Sequence, residues 1–149
     1  MGWIRSLYGT EVGLDTAPLI YFVERQPKYL PLVYPFFEAV QREDIEVVTS
    51  TLTLTEVLVH PYKDGDRRLA EQYSLILLNS SNLTTVPVSP EIAKEAARLR
   101  AAHGFKTPDS IQLATARLAN ATAFLTNDGR LDTIPGLEVI RLDDVLSNP

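Results

Sequence analysis

The sequence predicts an α/β fold of three layers, α/β/α, with helices on both faces of a mainly parallel central sheet. Three observations carry that expectation. Strand-like and helix-like stretches alternate from end to end. Strands separated by helical stretches require crossover connections, which place the strands parallel. The 149 residues contain no repeat, low-complexity tract or linker, so residues 1–149 are expected to form a single domain.

Taken in order, residues 12–14 are a short apolar run ending on Asp15, and Pro18 stands where a helix starts. A short helix is expected over residues 19–25, closed before Pro27. A second helix is expected over about 31–42, because Leu32, Phe36, Ala39 and Val40 share one helical face. Residues 45–50 are rich in β-branched side chains and are expected to be a strand. Residues 54–60 then look helical until Pro61 stops them, and Asp64-Gly65 marks a turn. Leu69, Tyr73, Ile76 and Ser80 trace one side of the next helix. Residues 84–88 form the following strand, with Pro87 pointing to an edge or a strand end. Ser89-Pro90 pairs an N-cap residue with proline at the first helical position, opening a helix that runs to Gly104. Thr107-Pro108-Asp109 repeats that start signal, with Ile111, Ala114 and Leu118 as the buried stripe. Residues 121–126 are a strand that stops at Asn127-Asp128-Gly129, and residues 137–140 are a last strand before a polar tail.

Composition narrows the chemistry. With 45% apolar and 22% charged residues the chain is globular, and no apolar run approaches the roughly 18 residues of a membrane helix. Cysteine is absent, which removes disulfide scaffolds, thiolate zinc sites and cysteine nucleophiles together. That usage is compatible with a reducing compartment, and a cytoplasmic location is expected. Only His60 and His103 are present, too few for a histidine-rich zinc site. The seven glycines are scattered and form no phosphate-binding loop. Met1-Gly2-Trp3-Ile4-Arg5-Ser6 fits a myristoylation pattern so short that chance accounts for it, and no apolar core marks a signal peptide. The net charge of −5, from 14 basic and 19 acidic residues, argues on its face against a general nucleic-acid binder.

The acids themselves change that argument. In open parallel sheets, sites form beyond the carboxyl ends of the strands. Asp15 and Asp128 fall at such ends, Glu56 on the first turns after residues 45–50, and Asp109 in the first turn of its helix. Taken singly, each has a plain structural use: a helix cap for Asp15, a favourable dipole for Asp109, a turn for Asp128, a solvated face for Glu56. Jointly they would repel, and a divalent cation offsets that repulsion. Hard oxygen donors without imidazole or thiolate favour Mg²⁺ or Mn²⁺.

The segments Leu14-Asp15-Thr16-Ala17-Pro18, Thr53-Leu54-Thr55-Glu56-Val57, Lys106-Thr107-Pro108-Asp109-Ser110 and Leu125-Thr126-Asn127-Asp128 resemble the PIN-domain nucleases, most closely the VapC-type toxins of toxin–antitoxin pairs. The four stand in the family's order, and the likeness covers nearly the whole chain. It implies that Asp15, Glu56, Asp109 and Asp128 are the catalytic, metal-holding acids of a Mg²⁺- or Mn²⁺-dependent ribonuclease. Thr16, Thr126 and Asn127 match accessory polar positions, and Asp132 is an accessory acid or a solvated loop residue. Lys106 and Arg130 are the basic residues placed best for substrate phosphates, ahead of Lys63, Arg67, Arg68, Arg98, Arg100 and His103. The likeness further implies 5′-phosphate and 3′-hydroxyl products, a homodimer and a cognate antitoxin, with helices 19–25, 31–42 and 54–60 offering surface for either protein contact. The lead-in before Asp15 is longer than is common in the family, which leaves residues 1–10 without an assigned role. The competing reading is a catalytically silent PIN-like module that binds RNA or protein. A metal-dependent phosphatase or phosphotransferase is disfavoured, because Asp15-Thr16-Ala17 lacks an Asp-x-Asp arrangement.

Overall fold

The computed structural model describes residues 2–148. Its strands are β1 (Glu11–Leu14), β2 (Glu46–Ser50), β3 (Leu83–Val86), β4 (Ala123–Thr126) and β5 (Glu138–Arg141). They form one sheet in the order β3-β2-β1-β4-β5, and every strand pairing in it is parallel. β1 is central, with Val12 opposite Val47 on one side and Ala123 on the other. Pro87 does follow the end of an edge strand, where its missing N–H leaves no ladder partner wanting.

The helices are α1 (Gly2–Arg5), α2 (Thr16–Val23), α3 (Leu30–Gln41), α4 (Thr51–Asp64), α5 (Arg67–Asn79), α6 (Pro90–His103), α7 (Thr107–Leu118) and α8 (Leu142–Ser147). Alternation along each strand sends successive side chains to opposite faces. Val12, Leu14, Val47, Ala123 and Leu125 join Leu19, Phe36, Tyr73 and Leu77 in one core. Val48 and Phe124 join Ile92, Ala96, Leu99, Leu113 and Ala116 in the other. Two cores on two faces of one sheet are the three layers expected.

Several boundaries differ from the sequence expectation, each for a local reason. α2 begins at Thr16 rather than 19, because Asp15 caps it by accepting from the Thr16 amide. It stops before Arg25, whose φ of 55° no helix continues. α4 does not end at Pro61: proline forfeits one backbone bond, and the helix runs on until Gly65 (φ 69°) turns the chain. Thr107 lies inside α7, which has Lys106 at its N-cap position, and the Thr107 hydroxyl accepts from Arg100 instead. Residues 142–147 are a helix, not a polar tail: Leu142 is fully buried, and Asp143 and Asp144 suit the positive end of α8. Residues near the start also find a place, since Ile4 and Leu7 are buried and Trp3 stacks on Phe36 at 6.0 Å.

Helix α7 approaches the sheet unusually closely. A Cβ on Gly13 would overlap the Ala116 Cβ and lie 2.8 Å from the Phe124 ring. Only glycine lets α7 sit this low over β1, and that depth brings Asp109 toward the strand ends.

Candidate active site

All the candidate acids but Asp132 line one open cleft of about 540 Å³ at the carboxyl edge of the sheet. Asp15 follows β1 and is fixed from two sides. The Thr126 hydroxyl donates to its Oδ2 at 2.7 Å, and the Thr16 amide to its Oδ1 at 2.9 Å. Glu56 reaches in from α4, held by the Thr16 hydroxyl at 2.5 Å. Asp109 enters from the first turn of α7. Asp128 follows β4, its own amide donating to the Thr126 hydroxyl at 3.0 Å. Thr126 therefore donates to one acid and accepts from the backbone of another.

Below the cleft lies a buried polar network that the sequence reading did not find. The Thr49 hydroxyl donates to the Leu14 carbonyl at 2.8 Å and shares a hydrogen bond with Thr53 at 2.7 Å. Gln112 donates to Thr53 at 2.6 Å and accepts from Ser50 at 2.8 Å. The ends of β1 and β2 are thus tied to α4 and α7, the helices that carry Glu56 and Asp109. A glutamine inside the apolar stripe of α7 was the signal for it, because a buried amide needs partners.

Asn127 fastens the loop that carries Asp128. Its amide donates to the Tyr21 hydroxyl at 3.1 Å, and its carbonyl accepts from the Asp143 amide at 2.9 Å. Tyr29, stacked on Tyr21 at 4.3 Å, donates to the Asp143 carboxylate at 2.6 Å. Asp132 points elsewhere: it pairs with Arg141, and its side chain is 78% exposed. Lys106 and Arg130 line the cleft, whereas Lys63, Arg67, Arg68, Arg98, Arg100 and His103 do not.

The electrostatics agree with one shared field. Burial pushes the Asp15 carboxyl above its ordinary value; the Thr126 and Thr16 hydrogen bonds oppose this, while Glu56 and Asp128 add to it. Burial also raises Asp109, reinforced by Asp128 and Asp15 and opposed by Arg130 and Lys106. Asp128 moves the other way, held low chiefly by its hydrogen bond from Arg130. Acids that raise one another's pKa across a cleft are the arrangement a cation relieves.

In donor chemistry the set fits Mg²⁺ or Mn²⁺: carboxylates and hydroxyls, with neither histidine of the chain among them. In geometry it stops short. Among the described residues no three acidic or histidine side chains stand close enough to share an ion as they lie. Asp128 is occupied by Arg130, whose Nε and Nη2 meet its two oxygens at 3.0 and 2.7 Å.

Comparison with known proteins agrees with this fold. Structures similar to the chain include VapBC2 from Rickettsia felis bound to a promoter DNA fragment, with a TM-score of 0.68 at 19% identity over 88% of this chain and 98% of that one. A toxin–antitoxin complex from Klebsiella pneumoniae gives 0.66 at 25% identity, over 89% and 98%. VapC20 from Mycobacterium tuberculosis, a toxin that cleaves the sarcin–ricin loop, gives 0.63 at 14%, over 77% and 87%. None of the curated proteins matches the chain in sequence. The PIN domain family model matches residues 12–137, a span that holds β2, β3, β4, all of β1 but Glu11, and all four cleft acids, and that ends just before β5. The chain belongs to the PIN domain family.

Proposed function

We propose that the protein is a metal-dependent ribonuclease, the toxin of a toxin–antitoxin pair. One observation carries the reading: Asp15, Glu56, Asp109 and Asp128 come from four separate segments to one cleft of a PIN fold. Asp15, Asp109 and Asp128 would hold Mg²⁺ or Mn²⁺, with Glu56 a ligand directly or through water. When bound, such an ion would supply a water of lowered pKa and charge for the phosphoryl oxygens. The chain's own part is positioning. Thr16 and Thr126 aim the carboxylates of Glu56 and Asp15. Lys106 and Arg130 stand at the rim, where the phosphates of an RNA strand would pass.

The net charge is then no obstacle to RNA. With a divalent ion held by these acids, the cleft would attract phosphate rather than repel it, so RNA affinity should be weak without metal and rise with it. Cleavage of RNA that appears with Mg²⁺ or Mn²⁺ and vanishes with EDTA is the expected result. RNA binding without cleavage under every metal would instead establish the silent module, the reading favoured by the Arg130–Asp128 pair.

The antitoxin rests on the solved relatives that are toxin–antitoxin complexes. Val59 and Tyr62 on α4 and Leu75 and Leu78 on α5 are exposed apolar side chains available to an antitoxin or a second copy. No helix among the described residues is long and apolar enough to cross a membrane, and a cytoplasmic location is part of the proposal.

A further inference from the structure

The acids of the cleft already have a cation among them. Arg130 lays its guanidinium fork along Asp128, Nε to Oδ1 at 3.0 Å and Nη2 to Oδ2 at 2.7 Å. The same Nη2 stands 4.0 Å from Oδ2 of Asp109. The Arg130 amide also donates to Oδ1 of Asp128 at 2.9 Å, so the carboxylate is bound by main chain and side chain of one residue. Sequence spacing makes this possible, since Arg130 stands only two residues past Asp128; Gly129 between them has open space where a Cβ would be, so the loop does not depend on its being glycine. The Arg130 side chain is 61% exposed, so it can swing off Asp128 into the open cleft without disturbing either core.

We propose that Arg130 is a positioning residue of the metal site, an internal counter-ion that holds Asp128 and faces Asp109 until a divalent cation displaces it. The inference rests on the metal-dependent reading given above. Guanidinium and cation compete for the same oxygens of Asp128, and two positive charges this close repel each other. Displacement has a second effect. It frees a planar, always-charged fork at the rim, suited to take two oxygens of a phosphate in the way it took two of a carboxylate. The arginine thus exchanges one anion for another as the site fills. Before that exchange its single positive charge offsets part of the repulsion between Asp128 and Asp109.

The test is calorimetric titration of Mn²⁺ into the full chain without RNA, for wild type, R130A, R130K and D15N. R130A is expected to bind Mn²⁺ about five-fold more tightly than wild type, the modest gain suited to an exposed pair. R130K should fall between them, because the ammonium keeps the charge and loses the fork. Raising sodium chloride should narrow the gap between R130A and wild type, since screening weakens an exposed pair. Equal or weaker binding by R130A, with wild-type binding abolished in D15N, overturns the role of Arg130 and leaves the metal site standing. Absence of Mn²⁺ binding in wild type overturns the metal-dependent reading and this inference with it.

Discussion

Both edges of the sheet are acidic, yet the two are built differently. At the amino edge Glu11 and Glu46 face each other in register across β1 and β2, with Glu43 and Asp44 nearby. At the carboxyl edge stand Asp15, Glu56, Asp109 and Asp128. The amino edge receives the ends of α3 and α7, whose carbonyls carry partial negative charge. The carboxyl edge receives the starts of α2, α4 and α7, whose amides carry partial positive charge. Burial raises Glu11, and its hydrogen bond and repulsion with Glu46 raise it further. At the other edge threonine hydroxyls aim Asp15 and Glu56, and Arg130 holds Asp128 and faces Asp109. Acid count therefore does not mark a site; supporting donors do.

The sharpest way to break that comparison is to neutralise one acid at each edge. D15N should reduce RNA cleavage by on the order of 10³-fold, while its urea midpoint stays level or rises. A D15N protein that still cleaves substantially, free of contaminating nuclease, removes the carboxyl edge as the site. G13A should cost roughly 1–3 kcal/mol in urea unfolding, because its Cβ must push α7 off the sheet. Cleavage should fall in the same variant, since Asp109 rides on α7. N127A should lower cleavage by about ten-fold at saturating metal with secondary structure retained, through a loosened Asp128 loop. E11Q should leave cleavage unchanged and raise stability by at most about 0.5 kcal/mol, a value discounted for solvent screening.

A pH series applies the same contrast without mutation. Asp15, Asp109 and Glu11 all have raised carboxyl pKa values, so the folded chain binds their protons more tightly than the unfolded chain does. Stability without metal should therefore fall as pH rises from the ordinary carboxylate value through those raised values. Saturating Mg²⁺ should reverse the slope by favouring the ionised acids. In E11Q the metal-free slope should be shallower and the reversal by Mg²⁺ intact, whereas in D15N the reversal should be lost.

The sheet and the start of α6 were legible because their signals are local, whereas α2 and α4 each begin three residues before the expected starts at 19 and 54. Ser89-Pro90 marked the opening of α6 correctly, and residues 12–14 and 137–140 were strands to within a residue. Pro61 misled because proline near a helix end forfeits a single bond, which packing outweighs. Residues 142–147 misled because their polarity hid one buried residue, Leu142, on which the helix docks. The acidic quartet could be placed at one edge from two strand ends and two helix starts. The pair formed by Arg130 with Asp128 could not, because an arginine two residues past an aspartate has many rotamers and only the folded loop selects one. The Gln112 network was equally hidden, since its partners on β2 and α4 become neighbours only through the crossover.

The strand order has a consequence for synthesis on the ribosome. β1 emerges early and sits at the centre of the sheet, yet one of its two neighbours is β4, where Gly13 pairs with Phe124. Until that late strand is free of the exit tunnel, half of the β1 ladder has no partner, and Asp128 and Thr126 are missing from the cleft. A chain growing from its amino end thus carries no complete cleft until residues 127–130 have been made. For the ribonuclease proposed above, the topology would delay assembly of the cleft until β4 and the loop after it have been made.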